Sequence, residues 1–369
     1  MKIIHLLTHT WRANGNVCAA VDLACAQADA GHTVYVCSSG GHFDAVLARH
    51  GVRHVKIAHG ARSPRVAIEL LALVRLIRAF KPDIVHAHMI ASTLVGALLR
   101  TFLGFKFVTT VHNEFQQLAI VMGAADRVIG VSDFVTQSMI RRGIPARRIR
   151  TVLNGTISSP RFPDPPTQAA VLSRPAILYV GGLHPRKGVD NLIKAFGTIC
   201  RRFPEAHLHL VGSGPHQAEY EALARDVAPA GRVIFCGHSD DPRPYMRGAD
   251  IFVLASRSEP ASLVLSEARE AGCAVIATEV GGNKEMLEDG AAGILLPPDR
   301  PDLLASALSD LLGDPSRLTE AKARSQINID KMSLRRVAAE TEQVYREILG
   351  DARVHRDARA RARTVMDAQ

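Results

Sequence analysis

The stretch SRSEPASLVLSE, residues 256–267, contains two glutamates eight positions apart, Glu259 and Glu267. An apolar run at 249–255 precedes it and predicts a buried strand, whereas the apolar spacing from Ser262 onward predicts a helix. Glu259 is therefore expected in a loop and Glu267 inside the helix that follows. Such a helix start attracts phosphate, because its unpaired N–H groups and positive dipole end converge there. Two carboxylates beside an anion site suit a nucleotide sugar, which has hydroxyl groups on both sides of a diphosphate.

The rest of the chain alternates short β-branched runs with longer segments of helical periodicity. This alternation predicts an α/β fold with parallel sheets and helices on both faces. The predicted strands are 3–7, 33–37, 54–57, 84–87, 105–111, 128–131 and 150–153 in the first half, and 176–180, 208–211, 233–235, 251–254 and 274–277 in the second. A proline-rich stretch at 158–166 predicts an interdomain linker. We expect two Rossmann-like domains, 1–160 and 161–333, facing each other across a cleft.

Composition narrows the class of protein. The chain has 369 residues, of which 47% are hydrophobic, enough to fill two cores. No apolar stretch reaches the roughly eighteen residues that a membrane-spanning helix needs, and the apolar segment 3–7 is too short for a secretion signal. The six cysteines show no metal-binding spacing and indicate a reducing compartment. We therefore expect a cytoplasmic location.

Charge is distributed unevenly along the chain. Residues 1–160 contain 18 Lys and Arg against 8 Asp and Glu, whereas the whole chain has a formal charge of +9. A basic half can serve an anionic membrane surface or an anionic acceptor. Nucleic acid is the least expected partner, because aromatic residues make up 5% of the chain and no basic stripe is interleaved with them. In the predicted helix at 64–81, the apolar stripe is expected to pack on the sheet while outward arginines could attract anionic lipid.

A glycine-rich turn opens the second domain. Residues 181–188, GGLHPRKG, follow a predicted strand and lead into a helix. Gly182 lets the backbone approach a ligand, and Arg186 and Lys187 can neutralise the charge on a departing diphosphate. A solvated basic turn is the alternative. A second loop, VGSGP at 211–215, contains Gly214 but lacks the third glycine of a dinucleotide fingerprint, so a nicotinamide-dependent dehydrogenase is not favoured.

Histidines mark the first domain. His112 comes just after the predicted strand 105–111, where it is a candidate acid, base or hydrogen-bonding group, although such a histidine is more often structural. His86 and His88 are separated by one residue. If 84–88 form one strand, we expect their imidazoles on different sides and hence no shared metal, with His86 buried and His88 on the acceptor side.

These motifs together resemble the retaining glycosyltransferases of the GT-B fold, specifically glycosyltransferase family 4, also called glycosyl transferases group 1. The glutamate pair resembles the family's E-x7-E element, 181–188 its G-R-L-x-x-x-K-G loop and 211–215 its V-G-x-G-P element. Residues 278–285 resemble its glycine pair and following glutamate, and 108–113 the segment with its histidine. The resemblance covers residues 1–349.

The resemblance implies roles for individual residues. Glu259 would approach the donor sugar with His112 nearby, Glu267 would hold the ribose hydroxyls, and Lys187 would grip the diphosphate. Gly182 stands where the family has an arginine, for which Arg186 is the nearest substitute. The other donor-binding positions implied are Gly15, Gly214, Ser262, Leu263 and Val264.

The resemblance also implies the rest of the architecture. Residues 334–349 would form a helix that crosses back to the first domain. The basic segment 350–369 has little apolar content and is expected to be disordered.

The expected activity is retaining transfer of a sugar from a nucleoside-diphosphate-sugar donor to a hydroxyl of a glycan or lipid-linked acceptor. Envelope polysaccharide or lipopolysaccharide synthesis, at the inner face of the cell membrane, is the expected setting. No cofactor and no metal are expected, because the chain lacks a D-x-D element. The alternatives are a sugar-nucleotide epimerase of the same two-domain build and a catalytically inactive nucleotide-sugar-binding protein. The sequence leaves the sugar, the base and the acceptor open.

Overall fold

The computed structural model describes residues 1–12, 15–58, 66–162 and 168–366, with side chains described up to residue 350 apart from Val66. The chain divides into two compact units. Unit 1 comprises Met1–Leu153 and Leu334–Gln369, and unit 2 comprises Asn154–Ser333. The first division thus falls just before the predicted linker 158–166, of which 163–166 lie outside the described residues.

Each unit contains one parallel sheet. The strands of unit 1 are β1 Lys2–Leu6, β2 Thr33–Ser38, β3 Arg53–Lys56, β4 Ile84–Ala87, β5 Lys106–Val111, β6 Arg127–Gly130 and β7 Ile149–Thr151. Those of unit 2 are β8 Ala176–Val180, β9 His207–Val211, β10 Val233–Gly237, β11 Ile251–Leu254, β12 Ala274–Thr278 and β13 Ile294–Leu296. The two Rossmann-like halves predicted from the sequence are therefore confirmed.

Helices connect the strands in both units. Those up to β9 are α1 Gly15–Asp29, α2 Asp44–Arg49, α3 Val66–Phe80, α4 Ile90–Leu103, α5 Asp133–Arg141 and α6 Val189–Ile199. The later ones are α7 Gln217–Val227, α8 Arg243–Gly248, α9 Leu263–Glu270, α10 Asn283–Met286, α11 Pro301–Gly313, α12 Pro315–Arg324 and α13 Leu334–Met366. Short 3₁₀ segments lie at Gln117–Ala124, Ala146–Arg148, Pro185–Lys187, Glu288–Gly290 and Ile329–Met332. None of the helices within the described part of the chain is long and apolar enough to cross a membrane.

Strand order determines where a ligand can bind. The sheet of unit 1 has the order β3-β2-β1-β4-β5-β6-β7, and that of unit 2 the order β10-β9-β8-β11-β12-β13. In both sheets the chain reverses direction across the sheet next to the first strand of the unit, between β1 and β4 and between β8 and β11. Open α/β sheets bind ligands outside the carboxyl ends of the strands at such a switch point. The loops after these four strands are thus the expected places for a site.

Apolar strands build the core of unit 1. All four residues of β4 are buried, and β4 pairs in parallel with β1 and β5. On α3, Leu73 and Ile77 are buried against this sheet, while Arg75 and Arg78 are exposed. The last helix, α13, belongs to unit 1 and packs against α1, β5 and β6. Its helical backbone continues to Met366, whereas the side chains of 351–369 lie outside the described residues, so the disorder predicted for 350–369 stays a prediction.

Candidate functional site

Two loops at the switch point of unit 2 are joined through their backbones. The loop after β8 holds the 3₁₀ turn Pro185–Lys187, and the loop after β11 holds Glu259. Arg257 N–H donates to the carbonyl of Arg186 at 2.8 Å. Gly188, at φ +62°, permits this approach, because a Cβ there would lie 1.9 Å from the Ala255 carbonyl oxygen. The glycine-rich turn and the glutamate loop therefore pack together through their backbones.

The side chain of Arg257 also links these loops to neighbouring residues. Its guanidinium makes two bonds of 2.9 Å to Asp190 at the start of α6 and one of 2.7 Å to Asp299. The hydrogen bonds that Arg257 donates to Asp190 raise the pKa of Arg257 above its ordinary value. A bidentate arginine–carboxylate pair has a defined orientation. Sequence reasoning missed this residue, because its partners are distant in sequence.

Glu259 and Lys187, two of the predicted catalytic residues, are in direct contact. The Glu259 side chain is 4% exposed, and its Oε1 accepts hydrogen bonds from Lys187 Nζ and, at 2.7 Å, from Ser256 Oγ. Arg186 Nη1 lies 3.6 Å from Glu259 Oε2 and donates to the Ser258 carbonyl at 2.7 Å. A buried carboxylate is stable only when paired and hydrogen-bonded. The cationic groups predicted for the diphosphate thus surround Glu259.

Two predicted donor-binding glycines differ in the space around them. A Cβ at Gly182 would meet only the Ser213 carbonyl oxygen, at 3.9 Å, and the Gly182 carbonyl accepts a bond of 2.8 Å from Tyr179 Oη. A Cβ at Gly214 would lie 2.3 Å from the Leu183 carbonyl oxygen. Gly214 is therefore required by close backbone packing, whereas position 182 has room for a Cβ.

Glu267 lies on α9 and is held by an arginine. Its Oε1 is 3.3 Å from Arg161 Nη2, and both side chains are buried, at 9% and 8% exposure. The guanidinium of Arg161 also stacks on the ring of Phe162, 4.8 Å from its centroid. Sequence reasoning missed Arg161, because it lies in the stretch assigned to the linker. This ion pair holds the Glu267 carboxylate in one orientation.

The first turn of α9 carries the other predicted donor-binding residues of this loop. Ser262 is the N-cap and is buried, and its side chain makes no capping hydrogen bond. Leu263 and Val264 follow in the first turn, where backbone N–H groups have no partners within the helix. These N–H groups can donate hydrogen bonds to a bound anion.

In unit 1, four histidines cluster around the switch point. The prediction that His86 and His88 point to different sides is wrong, since their ring centroids lie 4.2 Å apart. Alternate residues of a strand share a face, and His86 lies on β4 with His88 directly beyond it. His5 on β1 pairs in register with His86. Sheet pairing therefore brings all three imidazoles together.

A chain of hydrogen bonds runs through these rings to His112. His5 Nε2 lies 2.8 Å from Gln27 Oε1, and His5 Nδ1 lies 2.9 Å from His88 Nε2. His88 Nδ1 in turn lies 3.1 Å from His112 Nε2. Since an amide oxygen only accepts, neutral rings must each donate from Nε2 along this chain. His112 thus donates through Nε2 and keeps a lone pair on Nδ1.

The other side of the cluster is anchored by the last helix. Tyr345 of α13 lies with Oη 2.6 Å from His86 Nδ1, and His86 Nε2 lies 2.7 Å from Thr110 Oγ1. Gln27 Nε2 donates to Tyr345 Oη at 3.3 Å. Burial lowers the pKa of His5 and of His112 to about 4, and lowers those of His86 and His88 well below the ordinary value. The cluster is therefore uncharged at neutral pH.

His88 and His112 also line a cavity of about 260 Å³ at the carboxyl ends of β1, β4 and β5. Asn16, in the first turn of α1, contributes to the same wall. Gly15 is the exposed first residue of α1, and its neighbour Asn14 lies outside the described residues. The predicted acceptor-side residue and the predicted histidine of the reacting centre thus share one cavity of unit 1.

Comparisons with known protein families give a match in each half of the chain. Residues 14–159 match the family described as Glycosyltransferase Family 4, and residues 174–314 match the family described as Glycosyl transferases group 1. The chain belongs to the GT-B glycosyltransferases of family 4. The family and the GT-B fold predicted from the sequence are thereby confirmed.

Curated relatives of this glycosyltransferase are diverse. It is 28% identical to alpha-maltose-1-phosphate synthase of Mycolicibacterium smegmatis over 72% of the chain and 79% of that protein. It is 29% identical to D-inositol 3-phosphate glycosyltransferase 2 of Catenulispora acidiphila over 74% of the chain and 73% of that protein. Among solved structures, Anabaena HepE in complex with UDP superposes with a TM-score of 0.78 at 21% identity, covering 94% of this chain and all of that one. That likeness shows the fold.

A metal could be considered only at the histidine cluster among the side chains that the structure describes. Ring nitrogens of His5, His86 and His88 all lie within 4.8 Å of one another, and three imidazoles are a common zinc ligand set. In this glycosyltransferase those nitrogens hydrogen-bond one another, Tyr345 and Thr110 instead. An ion would have to displace these bonds, so we assign no metal to the cluster.

Proposed function

We propose that this protein is a retaining glycosyltransferase that moves a sugar from a nucleoside-diphosphate-sugar to a hydroxyl of a glycan or lipid-linked acceptor. The observation that carries the proposal is the buried carboxylate of Glu259, paired with Lys187 at the switch point of unit 2. Keeping a charged carboxylate out of water is costly unless it is paired and hydrogen-bonded, as Glu259 is with Lys187 and Ser256. Its cationic partners carry the charge needed by a diphosphate.

The donor would bind along the loop and helix after β11. Glu267, oriented by Arg161, would accept hydrogen bonds from the two ribose hydroxyls. The diphosphate would lie against Lys187, Arg186 and the N–H groups of Ser262–Val264. Anabaena HepE has been crystallised with UDP and with UDP-glucose, which makes UDP the first nucleotide to test.

The reaction proposed is a front-face substitution. The bond between the anomeric carbon and the phosphate oxygen breaks, the acceptor oxygen bonds to the same face, and the departing phosphate takes the acceptor proton. Charge grows on that phosphate, so fixed cations such as Lys187 lower the barrier. The neutral His112 would orient a sugar hydroxyl rather than transfer a proton, because its pKa of about 4 makes it a weak base at neutral pH. No metal is needed for any of these steps.

The proposed setting is envelope polysaccharide or lipopolysaccharide synthesis at the inner face of the membrane. One relative, the lipopolysaccharide core biosynthesis glycosyltransferase LpsE of Rhizobium meliloti, is 31% identical over 41% of the chain. The structure called WaaG, described as a glycosyltransferase involved in lipopolysaccharide biosynthesis, has the same fold with a TM-score of 0.72 at 17% identity.

Helix α4 supports contact with an anionic bilayer. Leu94, Leu98 and Phe102 recur every four residues, and all three side chains are exposed, Phe102 by 76%. Such a stripe lies along one helix face, and the excess of Lys and Arg in residues 1–160 favours an anionic surface. We expect the protein to co-sediment with vesicles of anionic phosphatidylglycerol and not with vesicles of phosphatidylcholine, and we expect Leu98→Glu to weaken the co-sedimentation. Equal sedimentation of the unchanged protein and Leu98→Glu would contradict membrane contact through α4.

The test of the main proposal is a thermal-shift screen with UDP, GDP, ADP, dTDP, CMP and NAD, since a ligand that prefers the folded state raises the melting temperature. Stabilisation by one nucleoside diphosphate, lost in Glu267→Ala, is the expected result. A shift with NAD alone, or with none of them, would refute the donor site.

The stabilising nucleotide then selects the sugar donors for activity assays. The anomeric configuration of the product, read by NMR, tests retention of configuration. Activity that disappears in chelator and returns with Mg²⁺ or Mn²⁺ would overturn metal independence. Donor interconversion without any acceptor would favour the epimerase.

A further inference from the structure

The cavity of unit 1 is lined by apolar side chains and by polar side chains without formal charge. The polar ones among its described residues are imidazoles, amides and a hydroxyl, from His9, Asn16, His88, Thr110, His112, Asn113 and Gln116. No Asp, Glu, Lys or Arg is found among the described residues that line it. The first turns of α1 and α4 reach this wall, but no cation accompanies them among its described residues. Uncharged hydrogen-bonding groups suit a neutral polyhydroxylated ligand better than a phosphate, whose strongest contacts are to cations. At about 260 Å³, it is smaller than the roughly 300–1,000 Å³ of sites for drug-sized ligands, and so suits a single sugar ring.

An aromatic surface adjoins this cavity. Trp11, the single tryptophan of the chain, is 54% exposed. Its ring stacks on the ring of His9, with centroids 4.5 Å apart and an interplanar angle of 18°. The backbone N–H of Trp11 also donates to His9 Nδ1 at 3.3 Å, so neutral His9 carries its proton on Nε2. The exposed part of this stacked pair is therefore accessible to a ligand as far as the described residues extend.

We propose that the stacked pair Trp11–His9 is the platform on which a neutral pyranose ring of the acceptor rests. The apolar C–H face of the sugar would lie on these rings, while its hydroxyls reach the amides of Asn113 and Gln116. The inference rests on the proposed function and adds to it the chemical class of the acceptor end. A charged acceptor terminus, such as a sugar phosphate, fits this neutral cavity poorly.

The single tryptophan gives a direct assay. Emission of the whole protein is followed while methyl α-D-glucopyranoside, methyl α-D-galactopyranoside and methyl α-D-mannopyranoside are added, with glycerol as a polyol without a ring and inorganic phosphate as an anionic probe. Saturable change with at least one pyranoside, and none with glycerol or phosphate, is the expected result. No change with any glycoside at 100 mM, or a change with phosphate only, would overturn the platform.

Variants provide the second readout. Saturation-transfer NMR with the same glycosides is expected to weaken in Trp11→Ala by about 2- to 13-fold in affinity, the range of one aromatic contact, and less in Trp11→Phe. Phe203→Ala, which removes a partly exposed aromatic from unit 2, is the matched control and should leave glycoside binding unchanged. Equal loss in both variants would refute a specific platform.

The donor-site test remains separate. If UDP or another nucleotide stabilises the protein while no glycoside binds, the proposed activity stands and the platform falls. If glycosides bind and no nucleotide does, the proposed transfer activity falls.

Discussion

Replacing Lys187 by methionine tests the central ion pair of unit 2. The change keeps most of the side-chain volume and removes the charge that pairs with the buried carboxylate of Glu259. Breaking a buried ion pair costs about 3–5 kcal/mol, because the remaining charge is left uncompensated. Here the Ser256 hydroxyl still donates at 2.7 Å, and Arg186, at 3.6 Å, remains close. We therefore expect a smaller cost, about 2 kcal/mol.

A cost of about 2 kcal/mol corresponds to a fall of about 4–8 °C in Tm for a unit of 150–250 residues, the size class of unit 2. Differential scanning calorimetry would measure it. Glu259→Gln keeps the shape and removes the charge, so the double variant Lys187→Met/Glu259→Gln should recover most of the loss. A Tm for Lys187→Met equal to that of the unchanged protein, or a double variant no more stable than Lys187→Met, would refute the reasoning.

Four further outcomes are expected. A Cβ at position 182 would meet only one carbonyl oxygen, at 3.9 Å, so Gly182→Arg should fold with an unchanged Tm and give a tighter nucleotide response in thermal shift. Gly214→Ala should lower Tm, because its Cβ would lie 2.3 Å from the Leu183 carbonyl oxygen. Tyr345→Phe should cost about 1–3 kcal/mol in urea unfolding, because it leaves buried His86 Nδ1 without its partner. The folded-state pKa values of His5 and His112, about 4, lie below the unfolded value of 6.5, so the unfolded chain binds more protons than the folded one between pH 4 and pH 6.5. The free energy of unfolding should therefore fall by about 2 kcal/mol per imidazole from pH 7.5 to 5. A constant urea midpoint over that range would contradict this expectation.

The fold could be predicted from the sequence because local patterns of apolar residues mark most of its strands. The runs 84–87, 176–180 and 251–254 match β4, β8 and β11 residue for residue. Each is a buried apolar run whose neighbours along the chain are helical, so period and length suffice. The strand β13 was missed, because three half-buried residues, Ile294–Leu296, give too short a pattern.

The site could be predicted only in part. The order of the motifs on the chain identified the positions of Glu259, Glu267 and Lys187, since each follows a strand end. The partners of these residues could not be found in this way. Arg161 meets Glu267 from more than a hundred positions away in sequence, and nothing local marks it.

The sequence by itself determined which residue types follow which strands, and hence the class of chemistry at each sheet edge. Only the tertiary structure decided which of these groups touch: that Lys187 pairs with Glu259, and that His5, His86 and His88 share one buried cluster reaching Tyr345 in the last helix. The physical reason is that side-chain direction and strand register are set by packing across the sheet. Local periodicity fixes elements, but the pairing of β1 with β4 and the docking of α13 depend on contacts between residues far apart in the chain.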